Sequence, residues 1–334
     1  MADGRFLEYR ILREEDGMTV QDYLKNRLRF SARQISRLKF REDGIRVNGA
    51  FARVTLRLRE GDQLRIGLKD KRRTGKINTG NGGWLSTEET RRLLREKGID
   101  FTFPPLRILY EDEDILALYK ASGLVCHPSP GHYADTLANQ AAEYLSGKME
   151  DPQEAPRIHV MGRLDKDTSG IVIFALNQDA AAELFRQREE GNFFKTYLAL
   201  TKGCPEPCEG SIRFGIRKME GVLMKMETAA QEEGGKPAET FYRVLAGNEK
   251  AGLVQCRIRH GRTHQIRVHL SAAGYPLWYD DMYGEGIDGK HFYLHAGRVE
   301  LLKPFSHEKL VIRAELPDDF CAELESFGIP KPES

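Results

Sequence analysis

The pattern of apolar residues between residues 18 and 68 predicts two helices followed by a hairpin. Thr19 can cap a first helix, whose apolar face is formed by residues at helical spacing, namely Val20, Tyr23, Leu24 and Leu28. Ser31 followed by Gln34 is a capping-box pattern that opens a second helix. Asn48-Gly49 is a strong hairpin signal, and we expect the returning strand to run through Val54, Leu56 and Leu58.

A second and longer series of patterned segments begins after residue 105. Short apolar or alternating runs predict strands at residues 108–110, 115–119, 171–176, 193–200, 240–245, 253–259, 294–301 and 309–316. Apolar residues at helical spacing predict helices at residues 179–190, after Gly261, and at residues 318–327. The weak pattern of residues 204–235 indicates loops and a hairpin.

The segment between these two series has the composition of a linker. Residues 69–104 contain a basic run and then many Gly, Asn and Thr residues, and Ser86 opens a short helix within residues 84–97. We assign no function to that helix. The predicted organisation is therefore a small domain at 1–68, a linker at 69–104 and a large domain at 105–334.

Composition excludes several classes of protein. The 334 residues are 40% hydrophobic and 30% charged, which is typical of a soluble globular protein. No apolar run approaches the roughly 20 residues that a membrane helix needs, and the first ten residues do not resemble a signal peptide. Five scattered cysteines favour a reducing compartment, so we expect a cytoplasmic protein.

Charge is informative only locally, because 51 Lys and Arg residues oppose 50 Asp and Glu residues. Residues 18–68 carry twelve basic and five acidic side chains, and Arg33, Arg37 and Arg41 are spaced by four, which predicts one helix face. Such a patch suits a phosphate backbone, although a merely solvated face is the alternative. The helix–helix–hairpin order with Val47-Asn48-Gly49 resembles the alpha-L RNA-binding module.

A polar loop at residues 162–170 precedes the apolar run 171–176. Gly162 and Gly170 bracket the loop, and an extended backbone would direct Arg163 and Asp165 to the same side. The alternative is a surface loop whose charges neutralise one another. Tyr197 lies in an aromatic-rich strand, where a buried structural aromatic is the alternative to a functional residue.

A second motif covers residues 260–270 and ends in a predicted helix. His260 and His264 are four residues apart, as in zinc-binding helices, but no adjacent glutamate and no third ligand are evident, so we expect no metal. Spacing alone cannot rank Arg262 against Arg267, and either could be a surface arginine that holds RNA phosphate.

Residues 162–170 resemble the signature H-R-L-D-x-x-T-S-G of the RluA-type pseudouridine synthases, with Gly162 in place of the histidine. The second motif resembles the same family's G-R-T-H-Q-I-R-V-H. The resemblance implies that Asp165 is catalytic, that Tyr197 is the active-site tyrosine, that Arg267 pairs with the aspartate, and that Arg163 enters the space left by an extruded base. It also implies an α+β fold with a mixed, mostly antiparallel sheet, flanking helices and a central cleft.

Pseudouridine formation gains and loses no atoms, so the resemblance implies no cofactor. In agreement, the sequence contains neither a dinucleotide-binding glycine loop nor a Walker loop. The implied partner is structured RNA, with large-subunit ribosomal RNA favoured and transfer RNA as the alternative, and the family is typically monomeric. Two other functions stay open at this point, a catalytically inactive RNA-binding relative and a nucleobase N-glycosylase. The sequence does not decide whether Asp165 attacks the nucleotide or forms a glycal.

Overall fold

A computed structural model describes residues 6–68, 105–129, 131–132, 135–148, 158–222, 224–258 and 261–332, together with positions 77–78, 84–85, 92 and 96. The chain divides into two compact units. The first contains residues 1–72 and 177–179, and the second contains residues 73–176 and 180–334. No helix in the described parts of the chain is long and apolar enough to cross a membrane.

The first unit contains a four-stranded antiparallel sheet and two short helices. Helix α1 (Val20–Asp22) continues as one π-helical turn, Tyr23–Arg27, and α2 spans Ala32–Lys39. The capping predictions are confirmed, because the amide of Asp22 donates to Thr19 Oγ1 and Ser31 and Gln34 form a capping box. The strands are β1 (Phe6–Arg10), β2 (Ile45–Val47), β3 (Ala50–Phe51) and β4 (Gln63–Gly67), in the order β1-β4-β2-β3.

The predicted returning strand through Val54, Leu56 and Leu58 is wrong. The hairpin does turn at Asn48-Gly49, but β3 is only two residues long and β4 lies on the other side of β2. The carbonyls of Val54 and Leu56 instead accept hydrogen bonds from residues 21 and 20. Alternating apolar residues were therefore not sufficient for a strand, because the backbone is satisfied by the start of α1.

The predicted linker falls largely outside the described residues. Strand β5 (Ile77–Asn78) pairs with β6 (Trp84–Leu85), so the first two positions of the segment 84–97 are extended rather than helical. Arg92 and Glu96 are helical and form an i,i+4 ion pair of 3.5 Å.

The second unit is built on a ten-stranded sheet. Its strands are β7 (Ile108–Glu111), β8 (Ile115–Lys120), β9 (His159–Val160), β10 (Ser169–Ala175), β11 (Phe194–Lys202), β12 (Glu209–Ile212), β15 (Thr240–Gly247), β16 (Ala251–Ile258), β17 (Leu294–Leu302) and β18 (Lys309–Arg313). The main path of the sheet is β12-β15-β16-β11-β17-β10-β8-β7, with β18 added beside β17 and β9 beside β10. All pairings are antiparallel except β10 with β17.

Four helices and a hairpin complete the second unit. The helices are α3 (Leu137–Ser146), α4 (Gln178–Glu190), α5 (Gln265–Ala272) and α6 (Asp318–Ser326), and the hairpin joins β13 (Gly215–Lys218) to β14 (Met226–Ala229). The α+β class with a mixed, mostly antiparallel sheet is confirmed. Helix α3 and the pairing of β12 with β15 were not predicted, whereas every strand predicted in this domain is present.

The loop at residues 162–168 is anchored to the centre of the sheet. Val172 and Phe174 of β10 are fully buried, and Leu164 and Tyr197 belong to the same apolar cluster. Directly after the loop, Ser169 and Gly170 form the parallel register with His295 and Ala296 of β17. This pairing and the apolar cluster fix the position of the end of the loop relative to the sheet.

Gly170 allows β10 and β17 to approach closely. Its φ is +112°, and a Cβ built there would lie 2.4 Å from the carbonyl oxygen of Ala296. We expect Gly170→Ala to lower the free energy of unfolding by well over about 1 kcal/mol, because it adds a backbone clash to an unfavourable φ. Chemical denaturation measures the change. Gly274→Ala is the control, because Gly274 has a φ of +89° with open space around it. If both variants lose the same free energy of unfolding, the close approach of β10 and β17 is not what requires glycine at position 170.

The same junction holds a buried neutral histidine. His295 Nε2 lies 3.2 Å from the carbonyl oxygen of Ala314 and therefore donates to it, so Nδ1 accepts from the Ser169 hydroxyl at 2.8 Å. Burial lowers the pKa of His295 to about 4. Between about pH 6.5 and pH 4 the unfolded state therefore binds the extra proton, so His295 reduces stability as the pH falls.

We expect this histidine to account for about 3 kcal/mol of stability lost between pH 6.5 and pH 4. Denaturation midpoints measured across that range in the wild type and in His295→Gln isolate its contribution from that of the carboxylates. Between pH 6.5 and pH 4 the free energy of unfolding of the variant should fall by about 3 kcal/mol less than that of the wild type. Parallel pH profiles for the two proteins would show that His295 does not titrate this way.

Candidate active site

Two buried side chains form hydrogen bonds with the backbone of the loop that carries Asp165. The amide of Leu164 donates to Cys126 Sγ at 3.2 Å. Lys120 is fully buried, and its ammonium donates to the carbonyl oxygens of Lys166 and Leu124, both at 2.6 Å, and of Ala121 at 2.9 Å. Burial lowers the pKa of Lys120 to about 8. These contacts leave Asp165 half-buried at the surface of a rigid loop.

Arg267 lies beside Asp165 and is itself fixed by a second aspartate. Its Nε and Nη2 donate to the two carboxylate oxygens of Asp280 at 2.7 and 2.8 Å, and its Nη1 lies 3.4 Å from Asp165 Oδ2. Arg267 is 4% exposed and Asp280 is fully buried. Burial alone would lower the pKa of Arg267, but the hydrogen bonds and charge of Asp280 raise it. The arginine therefore presents a fixed positive charge to Asp165.

The resemblance paired Arg267 with Asp165 and indicated no second partner for it. Residues 274–283 also resemble a segment of the family that ends in G-D-x-x-Y, in which either Asp280 or Asp281 stands at the Asp position. The structure selects Asp280, because its carboxylate turns inward and also accepts from the amides of Met282 and Tyr283. Asp281 is exposed. The bidentate pair between Arg267 and Asp280 depends on the turn that directs the Asp280 carboxylate inward, and a sequence pattern does not specify that direction.

Tyr197 projects from β11 into the same region. It is 5% exposed, and burial together with the charge of Asp165 raises the pKa of its phenol well above the usual range. The ring is therefore a neutral phenol at ordinary pH. Within the described parts of the chain, no hydrogen-bond partner is found for its hydroxyl.

His264 and Tyr283 form a further pair that sequence reasoning did not select as functional. His264 has a φ of 54° at the start of α5, and its Nδ1 lies 2.9 Å from the hydroxyl of Tyr283. That hydroxyl accepts from the amide of Met226 at 2.8 Å, so its own proton is available to His264. Burial lowers the pKa of His264, which keeps the ring neutral. The Tyr283 ring also packs against Arg267, 5.0 Å from the guanidinium carbon.

Arg163 and Arg262, the other predicted arginines of the second unit, each make one separate contact. Arg163 is exposed, with Nη1 3.4 Å from His127 Nε2, and Arg262 donates through Nε to the carbonyl oxygen of Pro237 at 3.2 Å. Both lie in the second unit, close in sequence to Asp165 and Arg267 respectively. Among the described residues, Arg163 has no carboxylate partner.

The predicted arginine row of the first unit is only partly correct. Arg33 and Arg37 lie on α2, and Arg33 is exposed. Arg37 forms an ion pair with Asp179, which clusters with this unit. Arg41 lies beyond the end of α2, so the prediction that all three share one helix face is wrong; it forms an ion pair of 3.3 Å with Asp43. The helix ends after Lys39, before the third member of the row.

No group of three or more His, Cys, Asp and Glu side chains in the described residues is arranged to hold a metal ion. His260, the first histidine of the motif examined for zinc, lies outside the described residues. The second histidine, His264, is engaged by Tyr283.

Comparisons with known proteins identify the family of this chain. Residues 114–272 match the family model of RNA pseudouridylate synthases. Ribosomal large subunit pseudouridine synthase D of Zymomonas mobilis is 32% identical over 225 residues, which cover 64% of this chain and 70% of that protein. The protein of the same name from Nitrosomonas europaea is 36% identical over 67% of this chain and 65% of that protein.

Two further comparisons extend over more of a relative's length. A Bacillus subtilis protein named as an uncharacterized RNA pseudouridine synthase is 30% identical over 95% of both chains. The solved structure of human RNA pseudouridylate synthase domain containing 4 shares the fold, with a TM-score of 0.57 and 22% identity over 74% of this chain and 98% of that one. This chain therefore belongs to the RluA-type family of RNA pseudouridine synthases, which are isomerases that act on RNA.

Proposed function

We propose that this protein converts uridine to pseudouridine in large-subunit ribosomal RNA, with Asp165 as the catalytic residue. The observation that carries the assignment of Asp165 is its position: a half-buried carboxylate on a rigid loop, 3.4 Å from an arginine that Asp280 holds in place. The choice of RNA is supported by the two relatives that are named for the large ribosomal subunit. Transfer RNA is the alternative substrate.

The chemistry requires an ionised carboxylate close to the ribose and base. The bond from the ribose to N1 of uracil breaks, the base rotates, and the ribose bonds to C5, which releases its proton to water while N1 takes one up. Asp165 either attacks the nucleotide as a nucleophile or removes a ribose proton to give a glycal. In both routes Arg267, whose Nη1 lies 3.4 Å from Asp165 Oδ2, orients the carboxylate.

Tyr197 and Arg163 have proposed roles in handling the base. We propose that uracil stacks on the ring of Tyr197 and that the Tyr197 hydroxyl exchanges a proton late in the reaction. A uridine in structured RNA must first be extruded, which costs a few kcal/mol. Arg163 is exposed on the same loop and is our candidate to occupy the vacated space.

The first unit has a proposed role in RNA affinity. Its residues 18–68 carry about seven net positive charges, a surplus suited to sequence-independent phosphate contacts. Arg33 is the most accessible member of the predicted row, whereas Arg37 and Arg41 already have acidic neighbours. The monomeric state and the cytoplasmic location stay predictions from the sequence.

Mapping of pseudouridines in cells tests the proposed substrate. Ribosomal and transfer RNA from the parent strain and from a strain lacking the gene are compared by chemical labelling and sequencing. We expect one or more large-subunit positions to lose the modification and to regain it with the wild-type gene but not with Asp165→Asn. Loss confined to transfer RNA would replace the proposed substrate with the alternative one.

A further inference from the structure

A second cation, Arg188, lies at the junction of the two sequence motifs. Arg188 lies on helix α4, and its guanidinium is close to a glycine of each motif, Gly162 and Gly261. A Cβ built on Gly162 would lie 3.6 Å from Arg188 Nη1, and one built on Gly261 would lie 3.1 Å from Arg188 Nη2. The guanidinium thus fills the space that side chains at these two positions would otherwise occupy. Neither motif alone indicated this residue.

Arg188 has no acidic partner within the described part of the chain. The neighbouring arginine on the same helix, Arg186, forms ion pairs with Glu183 and Glu190. No hydrogen bond or ion pair of the Arg188 side chain is found among the described residues, although its charge acts on Tyr197 and Lys195. Asp165 of the first motif is in contact with Arg267 instead.

A third group converges on the same point. Lys195 Nζ lies 3.8 Å from the Cβ position of Gly162, and its one hydrogen bond in the described residues is a long one, 3.3 Å, to the carbonyl oxygen of Ile171. Lys195 is 9% exposed, and burial lowers the pKa of its ammonium to about 8. Two basic groups that converge without a carboxylate repel each other, and a bound anion relieves that repulsion.

We infer that Arg188, supported by Lys195, binds a backbone phosphate of the RNA next to the nucleotide that enters the site. A guanidinium donates to two phosphate oxygens at once, so this contact would fix the position of the sugar relative to Asp165. The inference rests on the proposed function for the identity of the nucleotide. It assigns Arg188 to binding and positioning, whereas Arg267 acts on the aspartate itself.

Salt-dependent RNA binding tests the inference without requiring turnover. The probe is a labelled large-subunit ribosomal RNA transcript, titrated at several salt concentrations in the Asp165→Asn background. We expect Arg188→Ala to weaken binding about tenfold and to reduce the slope of log affinity against log salt by about 0.7. Arg188→Lys should keep the slope and lose part of the affinity, because a lysine retains the charge but cannot donate to two phosphate oxygens in the bidentate geometry of a guanidinium.

Two controls separate this role from a structural one. Arg186→Ala removes a cation from the same helix and should leave the salt slope unchanged. Arg188→Gln keeps an uncharged polar side chain that fills more of the space than alanine, so it serves if the alanine variant unfolds. Weaker binding with an unchanged slope, or equal slopes for Arg188→Ala and Arg186→Ala, would overturn the inference. A wild type that binds in this way but forms no pseudouridine would instead refute only the proposed function.

Discussion

Replacement of Asp165 by asparagine should abolish pseudouridine formation, with turnover reduced by about four orders of magnitude or more. Asparagine has nearly the same shape but cannot carry the negative charge that attacks the nucleotide or accepts its proton. Asp165 is half-buried, and its contact with Arg267 is 3.4 Å long, so the fold should tolerate the change. Single-turnover assays with excess enzyme measure the rate without interference from product release.

RNA binding and stability serve as the controls for Asp165→Asn. Affinity for the RNA should stay within a fewfold of the wild type, and the unfolding midpoint should be nearly unchanged. Asp167→Asn is the matched variant, because Asp167 lies two residues further along the same loop and removes the same charge. Equal loss of activity in the two variants would mean that loop charge, rather than the Asp165 carboxylate, is required.

Replacement of Asp280 by alanine should lower the free energy of unfolding by about 3–5 kcal/mol, the largest stability loss that we expect from a single site. Arg267 is 4% exposed, and its one remaining carboxylate contact among the described residues would be the 3.4 Å contact with Asp165. A buried guanidinium without its bidentate partner is strongly unfavourable. Denaturant titration measures the loss, and Asp281→Ala, at an exposed neighbour, should change stability by less than about 0.5 kcal/mol.

A double variant separates the stabilising role of this pair from its proposed catalytic role. Replacing both buried charges, as in Arg267→Met with Asp280→Leu, should restore much of the stability lost in Asp280→Ala. The double variant should nevertheless be inactive, because Asp165 loses the charge that orients it. Full activity in a stable double variant would contradict the role proposed for Arg267.

The sequence was sufficient for elements whose apolar pattern is local. Residues 171–176 read as a buried strand, and β10 is buried along its whole length. The strands predicted in the large domain are present. Alternate side chains of a strand point to the same face of a sheet, so an alternating apolar pattern indicates a strand with one face on the core. The same rule failed at Val54, Leu56 and Leu58, because the backbone carbonyls of Val54 and Leu56 accept hydrogen bonds from the start of α1 and Leu56 is exposed.

The candidate site was predictable only as far as its motifs extend. Asp165, Tyr197 and Arg267 come from three distant segments, and the resemblance predicted their association, which spacing alone cannot. Asp280 could not be separated from Asp281, since a turn decides which carboxylate points inward. Arg188 carries no sequence signal, because its position depends on the space left by Gly162 and Gly261 after folding.

The measurement that tests the central claim most directly is tritium release from RNA labelled at C5 of its uracils. If the carboxylate of Asp165 moves the ribose from N1 to C5, the wild type releases tritium to water, an equal amount of pseudouridine appears in the RNA, and no free base is formed. Binding of the RNA without any tritium release would identify an inactive relative. Release of labelled free uracil would identify an N-glycosylase, and either result would contradict the account.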